Sequence, residues 1–180
     1  MSVFLQPIYT QTLAVGSSVN TVNFNNIPQT FTDLKVVISA RATGSANNQG
    51  MFVQFSGDGG NNYSDTLLRA VSGSVDSYRN TSTNAFRELE IPNDLCTANT
   101  FSSIEMYIPN YANTSYKKQA IIDLAKESNS TNAPAMLQLR ADLWSNTAAI
   151  TSIGFGTNIS APNFSSYSTF SLYGVLRQGI

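Results

Sequence analysis

The chain has 180 residues and a mass of 19.5 kDa, which is enough for one domain with a sizeable core but not for two. Only 12% of the residues are charged and the net charge is −1, with no basic patch, so nucleic-acid binding is not expected. Ser, Thr and Asn make up about a third of the chain, and aromatic residues 11%. This composition predicts a folded β-rich protein and excludes disorder.

Apolar and polar residues alternate with a period of two in many short segments, and helical periodicity is almost absent. The clearest example is the alternation of Leu34, Val36, Ile38 and Ala40 with Lys35, Ser39 and Arg41. In chain order, strands are predicted at residues 8–15, 19–24, 33–43, 51–55, 63–70, 86–91, 104–108, 116–124, 136–143, 150–155 and 169–173. About ten or eleven short strands separated by turns predict an all-β, antiparallel β-sandwich in one domain over residues 1–180.

The segments between these strands are predicted to be loops. Residues 44–50 and 72–85 are rich in Gly, Ser, Asn and Thr and are expected to be exposed. Residues 93–100 could form one helical turn with Asp94 as its N-cap, and residues 1–8 could form an N-terminal arm. No repeat or heptad pattern predicts a fibrous shaft. No signal peptide or long apolar run is present, so membrane insertion is not expected.

The residue types that most catalytic and metal sites require are scarce. Histidine is absent, which removes Ser-His-Asp and Cys-His triads and the commonest transition-metal ligand. The single cysteine, Cys96, has no imidazole base and is predicted to be a buried small apolar residue. Phosphate-binding and dinucleotide-binding loops are also absent. We therefore expect no cofactor and no enzymatic activity.

A carboxylate pair could support glycoside hydrolysis, and Glu88 and Glu90 are the closest candidates in the sequence. They lie two apart on a predicted strand, so their side chains would leave the same face about 7 Å apart. The spacing is compatible with such chemistry but not specific for it. Because Leu89 and Ile91 occupy the alternate positions, the preferred interpretation is that the glutamates form the solvated face of a half-buried strand.

A turn rich in oxygen ligands follows the strand at residues 51–55. Asp58, Asn61 and Asp65 are candidate ligands for a hard cation such as calcium. The segment lacks the acidic spacing and the distal glutamate of a calcium-binding loop, and a Gly- and Asn-rich hairpin turn explains it without an ion.

Aromatic side chains are the candidate ligand or interface residues. Tyrosine and tryptophan stack on sugars, and they also bury a large apolar body in protein interfaces while the polar tip stays hydrated. Trp144 ends an apolar strand, so packing in the core or in an interface is favoured over a sugar platform. The candidates are Tyr63, Tyr78, Tyr107, Tyr111 and Trp144.

Five segments in order resemble a module of tailed-bacteriophage virion proteins, found as free-standing small proteins and at the ends of tail-fibre chains. The segments are IPQTFTDLKVVISAR (residues 27–41), QFSGDGGNNYS (54–64), IEMYIPNYANTSYKKQ (104–119), LWSNTAAITSIGF (143–155) and STFSLYGV (168–175). The resemblance covers most of the chain. It implies a jelly-roll-like sandwich at the virion surface and transfers no catalytic or ligand-binding residues.

The resemblance leaves three functional hypotheses. The first is a capsid decoration or cement protein, which the free-standing length and the missing shaft favour. It would contact further copies of itself, since virion components lie on symmetry axes, and other virion proteins such as the major capsid protein. The second is a tail- or head-fibre module that binds host-surface glycans. The third, a glycan-cleaving tail enzyme, depends on Glu88 and Glu90 alone.

Overall fold

The computed structural model describes residues 3–45, 50–127, 129–158 and 163–177, and in these ranges the chain forms twelve strands and no helix. The strands are β1 (Val3–Thr12), β2 (Thr21–Phe24), β3 (Asp33–Ser39), β4 (Gly50–Phe55), β5 (Tyr63–Val71), β6 (Ser74–Thr83), β7 (Phe86–Glu90), β8 (Ser103–Pro109), β9 (Lys118–Lys126), β10 (Met136–Trp144), β11 (Ile153–Thr157) and β12 (Thr169–Arg177). The all-β, antiparallel prediction is confirmed.

The strand order identifies the sandwich as a jelly roll with one extended sheet. The large sheet has the order β1-β12-β3-β8-β9-β10-β5-β6, and the small sheet has the order β2-β11-β4-β7. Strands pair from the two ends of the chain inwards, β1 with β12, β2 with β11, β3 with β8 and β4 with β7. This is one long hairpin rolled across two sheets, the arrangement of a jelly roll.

Strands β9, β10, β5 and β6 extend the large sheet beyond the eight strands of the roll. The chain inserts β5 and β6 between β4 and β7, and β9 and β10 between β8 and β11. The two insertions meet where β10 pairs with β5 over nine residues of each strand. This four-strand part of the sheet, called the extension below, carries the candidate site.

Aromatic contacts between the sheets hold the core together. Phe155 of the small sheet packs against Phe170 of the large one with ring centroids 5.4 Å apart. Near the extension, Phe55 lies 5.8 Å from Trp144 in an edge-to-face contact, and Phe86 lies 5.0 Å from Tyr63. Such contacts combine large apolar burial with favourable ring geometry, so they fix how the two sheets face each other.

Three predictions about connecting segments need correction or comment. The predicted exposed loop at residues 72–85 is wrong, because most of it is strand β6. Both faces of β6 are largely exposed, so its sequence is rich in Ser, Asn, Thr and Asp and lacks the apolar alternation that would predict a strand. In the predicted loop at 44–50, Gly50 begins β4, and residues 46–49 lie outside the described residues. Of the candidate N-terminal arm at residues 1–8, residues 1 and 2 lie outside the described residues. Residues 3–8 belong to β1, and residues 3–7 pair with β12 before the register shifts at Ile8.

The predicted helical turn at residues 93–100 is wrong, because two non-helical turns occupy this segment. Its backbone carbonyls surround Arg41, whose guanidinium N–H groups donate hydrogen bonds to the carbonyl oxygens of Asn93, Cys96, Thr97 and Thr100. Asn93, not Asp94, caps the first turn by accepting the Leu95 N–H through Oδ1 at 3.0 Å. Cys96 is buried and free, as predicted.

Candidate interaction surface

Strand β10 faces the sandwich with its polar residues and faces solvent with its leucines. Gln138, Arg140 and Asp142 are buried, whereas Leu137 and Leu139 are 60% and 47% exposed. A half-buried antiparallel strand normally has the opposite arrangement, with its apolar face toward the core. Along β10, therefore, the polar face of the extension is turned to the core and the apolar face to solvent.

The inner face holds a buried cluster of charges around Arg140. Its Nε lies 3.3 Å from Asp142 Oδ1 and its Nη2 lies 3.4 Å from Asp65 Oδ2, and all three side chains are inaccessible to solvent. Asp65 also accepts a hydrogen bond from Asn80 Nδ2 at 3.0 Å. Asp142 Oδ2 has no hydrogen-bond partner. One cation thus serves two carboxylates in a region from which water is excluded.

This cluster also attaches the extension to the edge of the small sheet. Arg140 Nη1 donates to the carbonyl oxygen of Arg87 at 2.7 Å, and Gln138 Nε2 donates to that of Glu88 at 3.1 Å. Strand β7 is the edge strand of its sheet and forms a β-bulge here, in which Arg87 and Glu88 lie opposite the single residue Phe52. Glu88 has a φ of 64°. The inward polar side chains of β10 therefore replace the neighbour that β7 lacks.

Burial raises the pKa of the carboxyl groups in and near this cluster. For Asp142 it raises the pKa to about 7, against the lowering effect of Arg140. For Asp65 it also raises the pKa, again opposed by Arg140, and the pKa of Glu90 is raised by burial despite its partner Lys126. Desolvation outweighs ion pairing in each case because the charged form loses its hydration.

The outer face of the extension is an apolar surface with charges only at its margins. Four transverse rows of side chains cross β9, β10, β5 and β6 in turn. The rows are Ala125–Leu137–Ala70–Val75, Asp123–Leu139–Leu68–Ser77, Ile121–Ala141–Thr66–Arg79 and, on the first three strands, Gln119–Leu143–Ser64. We call this set the outer face.

The outer face leaves a large apolar area in water. Leu68, Ile121, Leu137 and Leu139 are each about half exposed, between 47% and 60%, and Val75 is 71% exposed. Covering the first four alone would contribute about 3–6 kcal/mol per chain by the usual burial energies. Two hollows flank them, of about 440 Å³ beside Ala70 and Ala125 and of about 300 Å³ beside Thr66 and Arg79. Contiguous exposed apolar patches of this kind are typical of interaction surfaces, which makes the outer face the candidate site.

The glutamate pair proposed from the sequence does not form a solvated strand face, and this prediction is wrong. Glu90 is buried and forms an internal ion pair with Lys126, whose Nζ lies 3.4 Å from Glu90 Oε2. Glu88 Oε2 accepts the hydroxyl hydrogen bond of Tyr78. The bulge at Glu88 breaks the simple alternation of β7 on which the prediction depended.

The candidate cation ligands are separated by the partners that they bind. Asp58 accepts hydrogen bonds from Trp144 Nε1 at 2.7 Å, from Gly60 N at 2.9 Å and from Asn62 Nδ2 at 3.1 Å. These hydrogen bonds lower the pKa of Asp58, and the bond from Trp144 has the largest effect. Asp65 points into the buried cluster, and Asn61 is exposed. Within the described residues no three acidic or cysteine side chains come together as a metal site.

Three of the five aromatic candidates are core residues. Trp144, Tyr63 and Tyr111 are at most 1% exposed. This corrects the choice of Tyr63 and Tyr111 as ligand or interface residues, and for Trp144 it agrees with the packing in the core that was favoured over a sugar platform. The Tyr63 hydroxyl accepts the Phe55 N–H at 2.9 Å, and burial raises the pKa of Tyr63 to about 12. Tyr78 and Tyr107 are half buried, and their hydroxyls donate to Glu88 and Asp33.

The residues of the outer face were not among those that the sequence singled out. Leu137 and Leu139 alternate with polar residues as in any amphipathic strand, and alternation does not tell which side is covered. The sequence signal that could have found them is the polarity of the opposite face of β10. Gln138, Arg140 and Asp142 are unusually polar for a strand, since one of its faces has to pack on the core.

No protein-family model matches the chain, and neither a curated protein nor a solved structure matches it significantly. In the part of the chain that the structure describes, no helix has both the length and the apolar character needed to cross a membrane.

Proposed function

We propose that this chain is a structural protein of a tailed-bacteriophage particle, most simply a capsid decoration or cement protein at the particle surface. The observation that carries the proposal is the outer face of the extension, a sheet surface with Leu68, Leu137 and Leu139 turned to solvent. A protein that works as a freely dissolved monomer gains nothing from such a face. A protein that works in an assembly has a use for it.

Three further properties support the same proposal. The ordered segments of the sequence resemble virion modules, as described above. The jelly roll is an architecture that occurs in viral coat proteins, although a fold by itself does not establish a function. The low charge of the chain favours close packing of many copies, since repulsion between them is small.

The glycan-binding alternative has lost its leading residues, because Trp144, Tyr63 and Tyr111 are buried. A sugar site of the stacking type requires aromatic side chains on an accessible surface, and the exposed ones that remain, Phe4, Tyr116 and Tyr167, come from separate parts of the chain. We therefore place the decoration role first.

The test is the number of copies per particle. Virions of the phage that encodes the chain are purified and separated by gel electrophoresis, and the band of this protein is calibrated against the major capsid protein. Hundreds of copies per particle are the expected result. A few copies or a few dozen would favour a fibre position, and absence from purified particles would overturn the proposal.

A deletion phage provides the matched control. Particles that lack the gene should bind the purified protein when it is added back, with the same copy number as the parent particles. Binding that is equally strong to parent particles, where the sites are already occupied, would indicate non-specific adsorption and would contradict a decoration role.

A further inference from the structure

We propose that a second copy of this chain packs on the outer face, with the two-fold axis parallel to the strands and located between β10 and β5. This inference rests on the proposed function in so far as both assume assembly, and it names the surface and the symmetry of the contact. In this arrangement β10 of each copy lies over β5 of the other, and β9 of each lies over β6.

The first argument is the position of the charges. Asp123 on β9 and Arg79 on β6 lie at opposite margins of the outer face, in neighbouring rows. Rows are two residues apart, or about 7 Å along the strands. A two-fold axis along the strands therefore brings each Asp123 within reach of Arg79 of the second copy, twice per dimer.

The other face-to-face symmetry is disfavoured by the same two residues. A two-fold axis across the strands would stack β9 on β9 and β6 on β6. Asp123 would then approach Asp123 of the second copy, and Arg79 would approach Arg79. Like charges in a contact surface oppose association and suppress the wrong arrangement.

The second argument is the complementarity of side-chain size. In the row Ala125–Leu137–Ala70–Val75, the axis along the strands places each large side chain over a small one. Leu137 faces Ala70 of the second copy, and Val75 faces Ala125. The hollow of about 440 Å³ beside Ala70 and Ala125 provides the space that the projecting valine requires. In the next row Leu139 meets Leu68, so the centre of the contact is leucine on leucine.

The third argument is the size of the contact, which predicts its strength. Four strands spaced about 4.8 Å apart and eight residues long give a footprint of roughly 500 Å² per copy. A standard stable interface covers about 800 Å² per partner. The dimer should therefore be weak in free solution and should form fully where copies are held close together on a particle.

Sedimentation equilibrium of the full-length chain tests the proposal. The wild type should associate reversibly to a dimer with a Kd of about 10–500 μM, and Leu139→Lys should weaken the dimer by at least about tenfold. The matched control is Leu5→Lys, which adds the same charge at a similarly exposed leucine, 53% against 47%, on β1 at the other end of the sheet. Circular dichroism and Trp144 fluorescence check that each variant is folded.

A wild type that stays monomeric at about 1 mM, or a dimer unchanged by Leu139→Lys, would overturn the proposal. Loss of the dimer on Leu5→Lys alone would also overturn it, because the contact would then lie at β1. If Leu139→Lys did not fold, Val75→Glu on the more exposed margin would replace it, with the same expected loss.

A charge exchange tests the orientation. Asp123→Arg and Arg79→Asp should each weaken the dimer by about tenfold, since two contacts change per dimer, and the double variant should return to within about threefold of the wild type. Losses that simply add in the double variant would overturn the axis along the strands.

The two proposals can fail separately. A chain present in hundreds of copies per virion but monomeric at high concentration would keep the decoration role and remove this contact. A dimer that behaves as expected but is absent from purified particles would keep the contact and remove the decoration role.

Discussion

Asp142 and Asp65 lie directly opposite each other in the β10–β5 ladder, and both carboxylates lie against the guanidinium of Arg140. Side chains opposite each other in an antiparallel pair have Cβ atoms about 4.5–5.5 Å apart. Two buried carboxylates at this distance repel each other, and one cation cannot neutralise both. A proton on Asp142 removes the excess charge, which agrees with the pKa of this group, raised first by burial and further by Asp65.

The first prediction concerns Asp142→Asn and pH. Because the pKa of Asp142 is about 7 when folded and near 4 when unfolded, the native state binds the additional proton, and stability should fall as pH rises from about 4 to 7. The loss is at most about 4 kcal/mol by this linkage. The variant should lack this part of the slope and should be more stable than the wild type at pH 8. Urea unfolding at several pH values measures both.

Asp123→Asn on β9 is the control for this experiment, because Asp123 is exposed on the other face of the same sheet. It should leave the pH slope as in the wild type at dilute protein concentration. An unchanged slope in Asp142→Asn would contradict the raised pKa of Asp142.

The second prediction concerns Arg140→Met. The variant leaves Asp65 and Asp142 without their shared cation and the carbonyl of Arg87 without its donor, and breaking a buried charge pair costs about 3–5 kcal/mol. The loss in the free energy of unfolding should be larger at pH 8 than at pH 5, because the carboxyl groups are more ionised at pH 8. Arg140→Lys, which keeps the charge but not the fork of donors, should lose less. Equal stability of Arg140→Met and the wild type at pH 8 would contradict this account of the cluster.

The third prediction concerns the bond between Asp58 and Trp144. Asp58→Ala removes the acceptor of a buried indole N–H and should cost about 1–3 kcal/mol, whereas Asp58→Asn keeps an acceptor and should cost less. The pKa of Asp58 is lowered, so the ionised form stabilises the fold above pH 4 and this contribution is lost as pH falls below it. Trp144 is the only tryptophan, so its fluorescence follows the unfolding directly. Equal costs for the two variants would indicate that the hydrogen bond is unimportant.

The fourth prediction concerns calcium. The oxygens of Asp58 already accept hydrogen bonds from N–H donors, and Asp65 faces Arg140, so an ion would have to displace these partners. The Tm should be the same in about 10 mM calcium and in a chelator, whereas a site with a Kd of about 1 mM would raise stability by about 1.4 kcal/mol. A reproducible rise in Tm with calcium would restore the ion-site hypothesis.

Strands with one apolar face were predictable from the sequence, and strands with none were not. In β3, β4 and β8 buried apolar residues alternate regularly with more exposed ones. These strands lie in the middle of the two sheets with one face buried, so every second residue is apolar. β6 has short polar side chains on both faces, since it is the edge of the large sheet and only part of it is covered. Its Ser-, Asn- and Thr-rich sequence is therefore the same as that of a loop.

The outer face could not be predicted because the side of β10 that faces the core is decided by contacts with residues distant in the sequence. Whether Leu139 or Arg140 faces the core depends on β7, which is about fifty residues away in the chain and supplies the carbonyl that Arg140 binds. The burial of three of the five aromatic candidates could not be read from the sequence for a related reason. Composition favours tyrosine and tryptophan in interfaces in general, but Trp144 is placed by Asp58 and Phe55, and these contacts appear only when β4, β5 and β10 are folded together.

The bonds from β10 to the carbonyls of β7 also restrict how this protein can polymerise. An edge strand with free carbonyls is a template on which another chain can add a strand, and repeated addition leads to fibres. At β7 the side chains of Arg140 and Gln138 occupy two of these carbonyls, and the bulge at Glu88 interrupts the ladder. Open-ended growth from this edge is therefore blocked, and a contact through a sheet face closed by a two-fold axis stops at two copies.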